Sequence, residues 1–470
     1  MQNIKRLKSF FCLLLILALI VPASPARAFI FSEFTITDEA ELGKKVHKLI
    51  RSNYNVVQDP EITSYIQDIA SRLEKAAPPQ PFPLQVDVVE DRSLNAMATV
   101  AGYMVLFSGM ITRMETESEL ASIMSHEMAH ITQRHVARNI ERSQKISTGA
   151  LLGILAGALV GAEAGETLAV GSIAGAQSAF LSYSREDERE ADHVGMNYLM
   201  EAGYNPKGMV SAMQKIRRLQ FFSGGDIPSY MSTHPGVDER ISYLRNRVER
   251  LDNHLVERQD DNTRLYRVQT LLRARHDDPS KALEHFRKQS EHECLANLGM
   301  GIANSRMNRV QDAELNFENL LACNDRDPLF LREAGGFYFQ YDRLDKAGEL
   351  LQKAAMLNPD DSLALLFYAR VLAEKGDNET AISYFRETLK KMPENPRVHE
   401  FMARTYGGEG DNFMAHTHMA YAHIYNNQRS RADFHIERAR AAADNPEQEK
   451  KVEELKKVYE DRVQFWKKSS

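Results

Sequence analysis

The spacing of apolar and polar positions changes several times along the chain, and each change marks an element. From Asp38 to Ser52, and again from Pro60 to Ala76, apolar residues recur at helical intervals, which predicts two amphipathic helices. From Phe82 to Phe107 the period shortens. Leu84-Gln85-Val86-Asp87-Val88-Val89 alternates and Met104-Val105-Leu106-Phe107 is apolar throughout, two short strands with Asn95-Ala96 and Gly102 between them. Glu117 to Thr132 has no Pro or Gly and is rich in helix formers, so it reads as one helix. Gly149 to Ala162 is apolar and Gly/Ala-rich, and too short for a spanning helix. It predicts a helical hairpin that is either buried or laid on a membrane surface. Ser184 to Asp192 returns to helical spacing with a dense run of charges.

Beyond about residue 255 the pattern repeats. One interval separates Pro359 from Pro393, Gly335 from Ala369 and Ala369 from Ala403, and it recurs through Ala347, Ala381 and Ala415. Gly376 and Gly410 mark turns at the same interval. Small residues at these offsets let paired helices approach closely, and the interval is the period of tetratricopeptide repeats. Gly301, Ala313 and Phe317 extend the register upstream, and Ala282 suggests a degenerate first unit. Four or five repeats are expected, closed by a charged helix near Glu447–Lys467. Such an array offers a concave surface to a protein partner and no chemistry of its own.

Positions 1–28 read as a secretory leader. Lys5, Arg6 and Lys8 precede an apolar run from Phe10 to Val21, and Ala26-Arg27-Ala28 is a cleavage pattern. Pro22 ends the run too early for an anchor. Removing this segment takes away four basic residues and no acidic one, and moves the formal net charge from −6 to −10. An acidic chain without a long basic patch argues against nucleic acid as a partner. The remaining length exceeds one core, so two domains are expected, 29–255 and 256–470. Cys294 opens one predicted helix and Cys323 closes the next, ends that lie together in an antiparallel pair. An oxidising compartment permits a disulfide there, and two buried free thiols are the alternative.

The candidate chemistry lies in Ser125-His126-Glu127-Met128-Ala129-His130. His126 and His130, four apart on one helix, project from the same face and can share a Zn²⁺. Glu127 is one step round, placed as a general base in the H-E-x-x-H arrangement of metallopeptidases. Two imidazoles leave the metal short of a third protein ligand. Glu188, in Ser184-Arg185-Glu186-Asp187-Glu188-Arg189-Glu190-Ala191-Asp192, can supply it. Asp192, at i+4 from Glu188, can accept the second N–H of a ligand imidazole. Glu190 competes with Glu188 but lacks an Asp at that offset. His135, about 140° round a continuous helix from His130, is read as structural.

Together these segments resemble the gluzincin peptidases of the CAAX-prenyl-endopeptidase and HtpX type, over roughly residues 35–250. The resemblance implies a mainly α (α+β) fold: a zinc-peptidase domain with a small β-sheet, then an all-α tetratricopeptide-repeat solenoid. It implies His126, His130 and Glu188 as zinc ligands, Glu127 as base and Asp192 as the residue that orients a ligand histidine. It also implies an edge strand beside the metal that pairs with extended substrate. His234 and Arg240 fall in an H-P-x-x-x-x-R segment that lies by the catalytic site in that family. His234 either stabilises the oxyanion or fills the open metal position and holds the enzyme latent. Leader, peptidase domain and repeats in this order are similar to the periplasmic β-barrel assembly-enhancing proteases of Gram-negative bacteria. That similarity implies a periplasmic enzyme acting on misassembled outer-membrane β-barrel proteins and their assembly machinery, with a chaperone or scaffold role for the repeats as the alternative.

Overall fold

A computed structural model describes residues 34–142, 183–222, 229–289 and 292–463. The expected leader and the apolar Gly149–Ala162 stretch lie outside the described residues. Among the described residues no helix is long and apolar enough to cross a membrane.

Two capped helices open the fold. α1 (Ile36–Asn53) begins in a reciprocal cap, Thr35 accepting from the Asp38 N–H while the Asp38 carboxylate accepts from Thr35. α2 (Pro60–Ala76) has Asp59 as its cap and Pro60 at its first position, where a missing N–H costs nothing. A three-stranded sheet follows, β1 (Gln85–Val89), β2 (Ala96–Ala98) and β3 (Tyr103–Phe107), in the order β1-β3-β2. β3 runs parallel to β1 and antiparallel to β2. It is therefore central, and burial on both faces explains its unbroken apolar run. The strand leading into the H-E-x-x-H helix is therefore not an edge. β1 and β2 are the two edges, and the one beside the H-E-x-x-H helix is β2, hidden in the Asn95-Ala96 connection because so short a strand cannot display alternation.

α3 (Glu117–Thr132) is the hub of this domain, with every residue from Ser118 to His130 buried. A helix surrounded on all sides carries no polar stripe, which is why its sequence is apolar and small all round. It ends at a break: Arg134 takes a left-handed φ of 53°, and α4 (His135–Arg142) sets off in a new direction. α5 (Arg185–Glu201), started by a Ser184/Asp187 capping box, lies along α3. Gly195 permits that approach, since a Cβ there would sit 2.9 Å from the Ser125 carbonyl oxygen. α6 (Lys207–Phe222), a short turn over Ser229–Thr233 and α7 (Val237–Val248) complete the shell.

The second half is a stack of helix pairs: α8 (Thr263–His276) with α9 (Pro279–Arg287), α10 (Glu293–Arg306) with α11 (Val310–Cys323), and α12 (Pro328–Gln340) with α13 (Leu344–Leu357). α14 (Ser362–Glu374) pairs with α15 (Asn378–Lys391) and α16 (Pro396–Gly408) with α17 (Asn412–Tyr425); α18 (Arg429–Ala442) packs on the other side of α17 through a left-handed turn at Asn427, and α19 (Pro446–Val463) covers α17 and α18. The turn inside successive pairs needs a left-handed residue, supplied by Asn308, Asp342, Gly376 and Gly410 at φ between 57° and 84°. Asn and Asp tolerate that conformation best after glycine, so the first two turns were not visible as glycines. Cys294 and Cys323 form a disulfide across α10 and α11, Cα to Cα 6.0 Å.

The repeats dock edge-on. Asp327, Asp361 and Asn395, spaced by the same repeat interval, cap α12, α14 and α16 and line up against residues 58–61. Arg332, fully buried, donates at 2.9 Å to Asp59 and at 2.9 Å to Asp361. Arg275 adds ion pairs to Asp59 and Glu333. Arg267 spans Glu61 and Asp327 at 2.6 Å each. One apolar cluster runs from Val57 through α3 and α8 to Val371 without a gap at the junction.

Candidate metal centre

Four donor residues from three segments meet beneath β2. His126 and His130 come from α3, Glu188 from α5, and His234 from the loop before α7, all at most 1% exposed. His126 Nε2 and His130 Nε2 are 3.0 Å apart. Glu188 reaches them at 3.5 and 3.4 Å. His234 Nδ1 lies 2.9 Å from Glu188 and 3.3 Å from His126 Nε2. The ligand atoms all fall within 4.8 Å of one another, so a single cation can touch every one.

The surrounding bonds leave these atoms free to ligate. Asp192 Oδ1 lies 2.9 Å from His126 Nδ1, so it accepts the proton there and leaves Nε2 as the donor atom. Arg240, buried, grips Asp192 through Nε and Nη2 at 2.8 Å each and also pairs with Glu188. Burial raises the Glu188 carboxyl, but Arg240, His234 and the two ligand imidazoles outweigh it and hold Glu188 well below the usual range. Asp192 is lowered in the same way, burial being overcome by Arg240 and His126. Burial pushes His130 well down, which keeps it neutral as a ligand must be. His126 is drawn up to about 9, burial and Arg240 being outweighed by Asp192 and Glu188, so metal binding there releases a proton.

Glu127 is fully buried on the same helix. Its Oε2 accepts from the Ala98 N–H of β2 at 2.8 Å, while Oε1 makes no hydrogen bond and lies 3.5 Å from His234 Nε2, which also makes none. Unsatisfied buried polar atoms carry a cost of about 1–3 kcal/mol each. Two of them aimed into a His/Glu donor set fit a polar occupant such as a metal ion with water.

The sequence singled out His126, Glu127, His130, Glu188, Asp192 and His234, and the structure brings all six together. Glu190 lies apart. It pairs instead with Arg138 at 2.7 Å and His135 at 3.0 Å. His135 requires a correction, because α3 does not continue to it. The break at Arg134 turns its ring back so that His135 Nδ1 lies 2.7 Å from His130 Nδ1. With His130 ligating through Nε2, its Nδ1–H donates to His135, whose own Nε2–H donates to Glu190. Two tyrosines were also missed: Tyr183 stacks on His130 at 3.7 Å and Tyr230 on His234 at 4.3 Å. Neither carries a motif, so spacing alone offered no means of finding them.

Residues 57–248 match the pattern of peptidase family M48, and residues 338–405 that of a tetratricopeptide repeat. The chain is a metallopeptidase with an M48 domain joined to tetratricopeptide repeats. It is 27% identical to the beta-barrel assembly-enhancing protease of Escherichia coli K12, over 71% of this chain and 70% of that one. It is 26% identical to the protein of the same name from Yersinia pestis, over 80% and 78%. A solved structure of MamA is 23% identical with a TM-score of 0.30, covering 35% of this chain and 95% of that one.

Proposed function

We propose that this chain is a periplasmic zinc-dependent endopeptidase that degrades misassembled outer-membrane and envelope proteins, with the repeats holding the client. The observation that carries the reading is the place of Glu127, tied by one oxygen to the edge strand and presenting the other, unbonded, to the donor set. His126, His130 and Glu188 would hold the Zn²⁺, which when bound would supply a Lewis acid for a carbonyl and for water. Glu127 Oε1 takes a proton from the attacking water and delivers it to the leaving amine. Asp192, clamped by Arg240, fixes the ring and tautomer of His126, and the His135–Glu190 pair does the same for His130. β2 offers its outer edge to extended substrate, with the Ala98 N–H already committed to setting the base. The leader pattern and the Cys294–Cys323 disulfide support an oxidising, exported location. The names of the two curated relatives support clients among β-barrel proteins.

His234 sits inside the donor set, buried and stacked under Tyr230, which supports its role as a plug that keeps the site latent. The deciding experiment measures metal content and casein degradation for the parent, Glu127→Gln and His234→Ala. One zinc per chain in each, cleavage lost in Glu127→Gln and raised in His234→Ala, is the expected result. Lower activity in His234→Ala assigns it to the oxyanion instead. Client assembly that survives Glu127→Gln in a cell with no cleavage by the parent favours the chaperone reading. Absence of zinc from all three overturns the proposal.

A further inference from the structure

Arginines recur on the first helices of two successive pairs at the repeat interval, Arg370 on α14 and Arg404 on α16. Arg397 lies two turns before Arg404 on α16. Phe367 and Phe401 stand at i−3 from Arg370 and Arg404. First helices of successive pairs touch one another, α12 with α14 and α14 with α16, so they line the inner side of the stack. The Arg370 guanidinium lies 4.4 Å from the centroid of Phe339, 5.8 Å from Phe367 and 4.1 Å from Phe401.

Among the described residues, Arg370, Arg397 and Arg404 have no ion pair, whereas Arg267, Arg275, Arg332 and Arg343 elsewhere in the repeats each find a carboxylate. The contrast matters in a chain with 65 acidic residues against 59 Lys and Arg. Burial, then Arg397 and Arg404, push Arg370 down to about 10, with Glu374 working in the opposite direction. A guanidinium held half-buried among rings and beside like charges is poised for a carboxylate from outside.

We propose that the inner face of the repeats from α12 to α16 binds an extended acidic segment of a client polypeptide, with its carboxylates on Arg370, Arg397 and Arg404 and an apolar side chain against Phe367. This rests on the reading that the repeats hold the client, and it gives that client a chemistry. A nucleic acid fits less well, because bases need open ring faces and Arg370 already covers those of Phe339 and Phe401.

The test is fluorescence anisotropy on the full chain carrying Glu127→Gln, which spares the probe from cleavage. The probes are a fluorescein-labelled peptide alternating Glu with Phe and the same peptide with Gln for Glu. The acidic peptide is expected to bind more tightly than the neutral one. Arg370→Gln and Arg404→Gln are each expected to weaken it by roughly tenfold, the scale of one hydrogen bond to a charged group. Lys390→Gln, on the second helix α15, is expected to change nothing. Arg404 is exposed, so that variant remains informative if Arg370→Gln fails to fold by circular dichroism. Equal binding of both peptides, unmoved by either arginine variant, overturns the charge-based site while the client-holding reading stands. No binding of either peptide overturns both. Displacement of the peptide by a thymidine oligonucleotide that binds more tightly through the same arginines also overturns the proposal.

Discussion

Two buried networks in this chain use the same residue types and close differently. Around Arg332, at the junction of the halves, Asp59, Asp361, Arg275 and Glu333 answer one another, and none of their buried side-chain atoms lacks a hydrogen bond. Around His126, the network of His130, Glu188, Asp192, Arg240 and His234 leaves Glu127 Oε1 and His234 Nε2 without one, and Glu188 Oε2 and Arg240 Nη1 meet only as an ion pair. The first network is self-satisfied and sets how the repeats sit on the peptidase domain. The second holds donor capacity in reserve. Buried charge alone therefore does not mark a reactive centre. What marks it is unsatisfied capacity converging on one point.

The sharpest way to break this comparison is to neutralise one member of each network. Glu127→Gln is expected to lower casein turnover by ~10²–10⁴-fold while leaving the urea midpoint unchanged or higher, because a buried carboxylate becomes neutral. Arg332→Met is expected to do the converse. It leaves Asp59 and Asp361 without their shared cation and costs about 3–5 kcal/mol of unfolding free energy, with turnover per folded molecule retained. Turnover that falls in Arg332→Met at full stability makes the junction part of the active machinery.

A smaller effect separates the two routes by which the ligand rings are oriented. Asp192→Asn is expected to weaken zinc binding by roughly 10–100-fold in competition with a chromophoric chelator. His135→Gln, one hydrogen bond further from a carboxylate, is expected at the low end of that range. Equal affinity of His135→Gln and parent removes His135 from the orienting set.

A separate effect, seen only on acidification, comes from a third buried group, which carries no charge at all. His399 and His418 face each other Nδ1 to Nδ1 at 2.9 Å in the repeats. Burial pushes His399 down to about 4, against the Pro393 carbonyl, and burial with His399, Arg386 and Lys451 pushes His418 to about 3. Both are neutral in the folded chain, while the unfolded chain takes up protons below about pH 6.5. Stability is thus full above that value and falls as pH drops towards about 4, by up to ~1.4 kcal/mol per pH unit for each histidine. Urea midpoints measured across that window check the slope, and His418→Gln is expected to flatten it.

Much of this was legible along the chain. The H-E-x-x-H pair, Glu188 with Asp192, and the repeat period are relations between positions a few turns or one repeat apart. Helical geometry converts such offsets directly into a shared face or a shared repeat position. The chain pattern also supplied Gly376 and Gly410 as turns, where no side chain opposes a left-handed φ.

What tertiary structure alone decided is everything that depends on distant segments meeting. Whether β2 or β3 forms the edge follows from strand order, which no local pattern encodes. The reach of His135 to His130 follows from one left-handed residue, Arg134, that ends a helix the sequence reads as continuous. Tyr183 and Tyr230 gain their places only through packing against ligand rings. Arg370 and Arg404, a full repeat apart, look scattered in a chain of net charge −6 and come to act on one another, with Arg397, only when the repeats stack. Local offsets determine which side chains share an element. The burial of long-range surfaces, paid for by the apolar cluster that joins both halves, determines which elements meet.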